Sequence, residues 1–423
     1  MKRLWGCACL LLLGALPALA QGPSLAETAE LIRTLTARID QLERRVAELE
    51  RGSPAARAEA PKPAAPAEAA AAPQPEPAQQ HHLRPDAAQS LPAAPSLKLA
   101  GFSDLNFSAT DQRGSKSGFN EGQLTLHASS ALSPRVNVFG ELTFGARPDA
   151  GMGMPAATGF NAEVERLLIR FDQSDYFKVS FGRYHTPINY WNTAFHHGQW
   201  LQTSISRPEM TQFGGRFIPV HFVGGLIEGA VPAGGLHLNY NVGLGNGRGA
   251  VINRAGDAGD INNNRAWLVN LFVKPDRPFG LQAGGSAYRD RISLGARAFD
   301  EWITSGHIVW SKEKPEVIAE AANINHTEVG RPDSVNSQAY YIQVGYRLPG
   351  LEQLWKPYYR FEYIHIPRAD PVFSGVPSLT ESVVGIRYDI TSFAALKLEY
   401  RNQRRAPDQP RVNGGFLQTS FTF

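Results

Sequence analysis

Sulfur is scarce in this chain: among 423 residues there are two cysteines and four methionines, and both cysteines, Cys7 and Cys9, sit at the extreme N-terminal end. Beyond them no thiol is available for a disulfide, a zinc site or nucleophilic catalysis. Long apolar runs are missing too. The longest, Cys7 to Ala20, falls short of the ~20 residues a membrane-crossing helix requires. Charge of one sign is also lacking, with 42 Lys and Arg against 39 Asp and Glu for a net +3. A chain this close to neutral has no global field to hold nucleic acid. Turn formers, in contrast, are plentiful, at 40 Gly and 30 Pro.

Four regions differ in texture. Residues 1–20 read as a secretory signal peptide: Met1-Lys2-Arg3 is the positive start, Leu4 to Leu16 the apolar stretch, and Ala18-Leu19-Ala20 the small-residue cleavage site. Residues 24–51 read as a coiled coil. Apolar positions at Leu25, Ile32, Leu35, Ile39, Leu42, Val46 and Leu49 step by three and four, the heptad seam of a helix that packs on copies of itself. With Ile32 at position a, Arg38 and Arg45 stand opposite Glu43 and Glu50 of a parallel neighbour. The core rule alone favours a dimer. The two stretches Arg38 to Glu43 and Arg45 to Glu50 nevertheless resemble the short signature of trimeric coiled coils, so a homotrimer is expected. Residues 52–95, mostly Ala and Pro, cannot bury a core and read as a disordered linker. His81-His82 within it lacks a third ligand.

Residues 96–423 alternate apolar and polar side chains with period two, in short segments separated by turn residues. Sixteen such segments are countable, joined alternately by brief turns such as Ser133-Pro134 and by longer Gly- and Asn-rich connections. An even number of strands with short turns at one rim and long loops at the other is the layout of a transmembrane, antiparallel, up-and-down β-barrel. One face of the strands carries Leu167, Ile169 and Phe171, Tyr340, Ile342 and Val344, or Leu396, Leu398 and Tyr400. The other carries charge. A barrel in lipid turns the first face outward and leaves the second around a wet lumen. Arg166, Arg170, Lys178, Arg347, Lys356, Arg360, Arg387 and Lys397 are then expected to line the pore and to lower the barrier for anions.

Leu417, Phe421 and the terminal Phe423 share one strand face and resemble the C-terminal signature by which outer-membrane barrels are recognised for assembly. With them, 96–423 resembles the sixteen-stranded bacterial porins, the phosphate-selective porin O/P type among them. The resemblance implies a water-filled channel in the bacterial outer membrane, with the coiled coil in the periplasm. It also implies that the connection after the fifth strand, here about 185–214, folds into the barrel and narrows it. The composition of that segment agrees, because Tyr190, Trp191 and Trp200 are unusual in a solvated loop. Its Arg183, His185, His196, His197 and Arg207 outnumber the single Glu209, so a positive constriction is expected.

Other chemistry reads weakly. His196-His197 are neighbours that point apart, with no carboxylate close in sequence. The Gly243 to Gly249 run lacks the spacing of a dinucleotide fingerprint. No metal, cofactor or nucleic acid is expected, and no catalytic residue. The reading is a passive channel for small hydrophilic, anionic solutes among outer-membrane lipids. Its alternatives are an outer-membrane anchor whose coiled coil binds the cell wall or a periplasmic partner, and a hydrolase embedded in the barrel.

Overall fold

The structure is a computed structural model that describes residues 95–146, 160–195, 197–212, 217–249, 252, 256–257, 259–260 and 262–423. The expected signal peptide, the coiled coil (Ile32, Leu35, Arg38, Ile39, Leu42, Glu43, Arg45, Val46, Leu49, Glu50) and the linker to residue 94 lie outside the described residues, as does His196.

Sixteen strands run in chain order: β1 (Leu97–Thr110), β2 (Gly118–Ala131), β3 (Val136–Ala146), β4 (Phe160–Ser174), β5 (Phe177–His185), β6 (His221–Val231), β7 (Leu238–Asn246) and β8 (Ala266–Val273). The second half follows as β9 (Leu281–Leu294), β10 (Arg297–Trp310), β11 (Glu316–Glu328), β12 (Ser334–Gly345), β13 (Trp355–His365), β14 (Leu379–Thr391), β15 (Ala394–Arg405) and β16 (Val412–Thr422). Each pairs antiparallel with its neighbour in sequence, and β16 pairs with β1, so the sheet closes and has no edge. Closure matters because an open edge would leave a row of backbone polar groups without partners in hydrocarbon.

The apolar faces look outward. Leu167 and Phe181 are each 62% exposed, while the charged neighbours on the other face, Lys356, Arg360 and Lys397, are at most 2% exposed. Alternation does this without further instruction, since successive Cβ atoms leave opposite sides of a strand. Phe421 and Leu417 pair opposite Ser103 and Phe107 of β1, and Phe423 exchanges backbone hydrogen bonds with Gly101 at 2.9 and 3.1 Å. The Phe423 ring lies over Gly101, where a Cβ would push it aside.

Two expectations need correction. The connection from β9 to β10 is a two-residue turn, Gly295-Ala296, where a longer one was expected; Gly295 at φ +61° makes the tight reversal possible. The inward faces are also not polar throughout. On β9 to β13, Tyr288, Ile292, Ile303, Ile318, Ile324, Tyr341 and Ile364 are all buried inside the barrel. They form one cluster with Ile188, Trp191, Met210, Phe217 and Ile218 of the segment between β5 and β6. A loop that stays inside a barrel needs a dry seat, and burying each such side chain contributes roughly 1.5–3 kcal/mol.

Candidate functional site

The described residues of the segment 186–220 cross the lumen as a diaphragm. The chain leaves β5 and reaches β9, where Asn189 N donates to Ser286 Oγ at 3.2 Å. At β11, the backbone N–H groups of Tyr190 and Trp191 both donate to Glu320 Oε1, at 2.8 and 2.6 Å. One helical turn, α1 (Trp191–Ala194), presses the Trp191 ring edge-on against Phe195 and Tyr341. The chain then returns to the first strands, where the ring of His197 bonds Gln123 Oε1 of β2 at 3.1 Å. From there it runs along β13 to β15. The backbone of Ile205 and Ser206 donates to Glu399, and Glu209 N donates to Glu362. Glu209 is itself clasped by Arg405 at 3.0 and 3.1 Å.

This path decides what each inward cation does. Arg360 donates to Ser204 Oγ, Ser206 O and Gln343 Oε1 and pairs with Glu362 at 2.7 Å. Lys397 bonds the carbonyls of Gln199 and Ser204. Arg387 bonds those of Trp200 and Gln202, with its guanidinium over the Trp200 ring. Lys356 pairs with Glu313 and Glu316, and Arg347 with Glu313 and Asp389 near the short-turn rim. Lys356, Arg360, Arg387 and Lys397 therefore face inward as the alternation predicts, but Lys356 is covered among its carboxylates and the other three hold the loop. The wall from β13 to β15 is a fastening surface because a buried cation without partners is far too costly to keep.

The opposite wall is open. A cavity of about 410 Å³ is lined by Arg166, Arg170, Tyr184, His185, Tyr190, Thr193, Glu228, Asn241, Asn270 and Lys274, among others. Its charged lining comprises Arg166, Arg170 and Lys274 against the single carboxylate Glu228. Arg170 pairs with Asp172 at 2.7 Å and lies 3.8 Å from Glu228. Lys178 sits lower, 3.8 Å from Asp175 in the turn. Lys274 escaped the sequence reading although it continues the inward phase of Asn270 and Phe272.

Above this cavity the loop-side ends of β3 to β6 gather a mixed cluster. His185, His197 and His221 bring ring nitrogens to within 4.8 Å of one another. Glu165 Oε2 lies 2.7 Å from His221 Nε2 and 3.3 Å from His197 Nε2. Glu141 bonds His127 at 3.0 Å, sits 3.5 Å from His185, and pairs with Arg166. Arg183 reaches His221 Nδ1 at 3.1 Å and pairs with Asp257. Arg207, buried, donates to Thr211 O at 2.7 and 3.1 Å. The positive loop expected from its own composition is thus answered by Glu141 and Glu165 from the wall. Glu165 arrives there through a β-bulge: Glu141 pairs with Arg166 and Leu142 with Val164, which leaves Glu165 as the extra residue. A bulge re-aims its side chain, and no linear pattern announces it.

No protein-family profile matches the chain, and no curated protein matches its sequence. Solved structures do. The anion-selective porin of Comamonas acidovorans superposes with a TM-score of 0.57 at 12% identity, over 78% of this chain and all of that one. The outer membrane channel DcaP of Acinetobacter baumannii gives 0.54 at 12% identity, over 78% and 97%. OmpF of Salmonella typhi gives 0.53 at 12% identity, over 77% and 97%. At such identity the likeness is one of fold: a sixteen-stranded bacterial outer-membrane porin barrel.

Proposed function

We propose that the protein is a passive outer-membrane channel for small anionic solutes, working as a homotrimer whose N-terminal coiled coil stands in the periplasm. The observation that carries the reading is the contrast between an apolar exterior and a cavity holding three cationic side chains and one carboxylate. Solutes pass along the wall from β4 to β9, beneath Tyr190 and Thr193 of the loop. Arg166, Arg170 and Lys274 offset part of an anion's dehydration cost there, while Glu228 keeps the preference mild. No reaction is assigned to the barrel, and the anchoring role of the coiled coil is secondary to conduction.

Reversal potentials of the purified, folded protein in planar bilayers under a KCl gradient test the selectivity. The expected sign is anion preference with measurable cation leak. A cation-selective pore, or a folded protein that conducts no ions, overturns the reading.

A further inference from the structure

We infer that His185, His197 and His221 form a binding site for a divalent transition metal of the Zn²⁺ type, with Glu165 at the fourth position. Among the described residues this is the one group of three or more His, Cys, Asp or Glu whose ligand atoms all converge within 4.8 Å. Tetrahedral Zn²⁺ holds its nitrogens at about 2.0–2.1 Å, so the rings close in by small side-chain rotations. Three imidazoles with one carboxylate suit Zn²⁺, Co²⁺ or Ni²⁺ rather than Ca²⁺ or Mg²⁺, which select oxygen.

Three independent features support the assignment. The bulge at Glu165 aims a carboxylate at two of the rings, 2.7 and 3.3 Å away. Gln123 Oε1 lies 3.1 Å from His197 Nδ1, an outer-shell partner of the kind that orients a ligand ring, with Nε2 turned toward Glu165. The cavity below is lined by His185, which puts one ligand ring at the edge of the lumen. The surrounding guanidiniums are already engaged: Arg166 by Glu141, Arg183 by Asp257 and Arg207 by Thr211. Arg183 also reaches His221 Nδ1 at 3.1 Å, on the ring edge away from Glu165. The ligands come from the end of β5, the middle of the loop and the start of β6, so the metal staples both ends of the diaphragm to its centre.

The test is a Co²⁺ titration of the folded full chain, purified in detergent without a polyhistidine tag and followed by visible absorption. Expected is a saturable band of tetrahedral intensity at one Co²⁺ per chain, displaced by Zn²⁺. His197→Ala and His221→Ala abolish the band, and Gln123→Leu weakens binding by about 10–100-fold. Replacing His81 and His82 by Ala leaves it intact. A wild-type titration with no tetrahedral band overturns the proposal, as does a band that survives both ring deletions. Heat-modifiable gel mobility reports folding of each variant. Where His197→Ala does not fold, His197→Gln takes its place, and the wild-type spectrum tests the site by itself.

Discussion

The two inner walls of the barrel carry the same kinds of side chain and use them differently. From β13 to β15, Arg360, Arg387 and Lys397 are buried under the loop, and their hydrogen bonds end on its carbonyls and hydroxyls. From β4 to β9, Arg166, Arg170 and Lys274 border an open cavity. A covered cation fixes position and projects little field, whereas one facing water sets the potential a passing ion meets. Inward orientation alone does not make a residue part of a permeation path.

The sharpest way to break this contrast is Arg360→Ala. It strips Glu362 of its cation and Ser204 and Ser206 of their donor while Glu362 stays buried. Breaking a buried pair from one side costs roughly 3–5 kcal/mol. Thermal melts should fall accordingly, and single-channel conductance should rise and become noisy as the loop leaves its seat. Unchanged conductance would mean that the diaphragm is held by its apolar contacts alone.

A smaller effect is expected where a second loop closes over the same packed side. Between β13 and β14, Asp370 accepts bonds from His326 at 2.9 Å, from Ser337 Oγ at 3.0 Å and from the backbone of Val372 and Phe373, and Phe373 stacks on Phe217. Burial acts to raise the Asp370 carboxyl, but the bonds and charge of His326, with Phe373 N–H and Ser337, outweigh it and leave it below the usual carboxylate range. A folded-state value below the unfolded one stabilises at neutral pH, and the gain fades as pH falls through the depressed value. Asp370→Asn should cost roughly 1–3 kcal/mol at neutral pH. Melts recorded against pH should show the variant and the parent converging in acid; a constant gap across pH would refute the assignment.

Smallest in stability, and sharpest in meaning, is Lys274→Glu on the open wall. An uncovered residue of this kind changes stability by about 0.5 kcal/mol or less. The reversal potential should nonetheless move toward cations. The same exchange at Lys397 would not test selectivity, since that ammonium holds Gln199 and Ser204.

Much of the barrel was legible because its cause is local. Period two needs only neighbouring residues, so the strand count, the outward face of Leu167 and Tyr340, and the shared face of Leu417 and Phe421 could be read along the chain. The inward course of the loop showed in its aromatics. What stayed hidden was the partner of each inward group. Glu141 and Glu165 answer the loop's histidines from strands that precede it, and the half of His196-His197 that is described meets His185 and His221. Nothing in the spacing of these residues signals the bulge that turns Glu165.

By itself the sequence determined a sixteen-stranded alternating ribbon with greasy and charged sides, because side-chain direction in a strand follows from backbone pleat alone. Only the tertiary structure decided which charged groups meet water and which are covered. That depends on the course of the described residues of 186–220 across a closed lumen, where contacts join positions up to 198 residues apart.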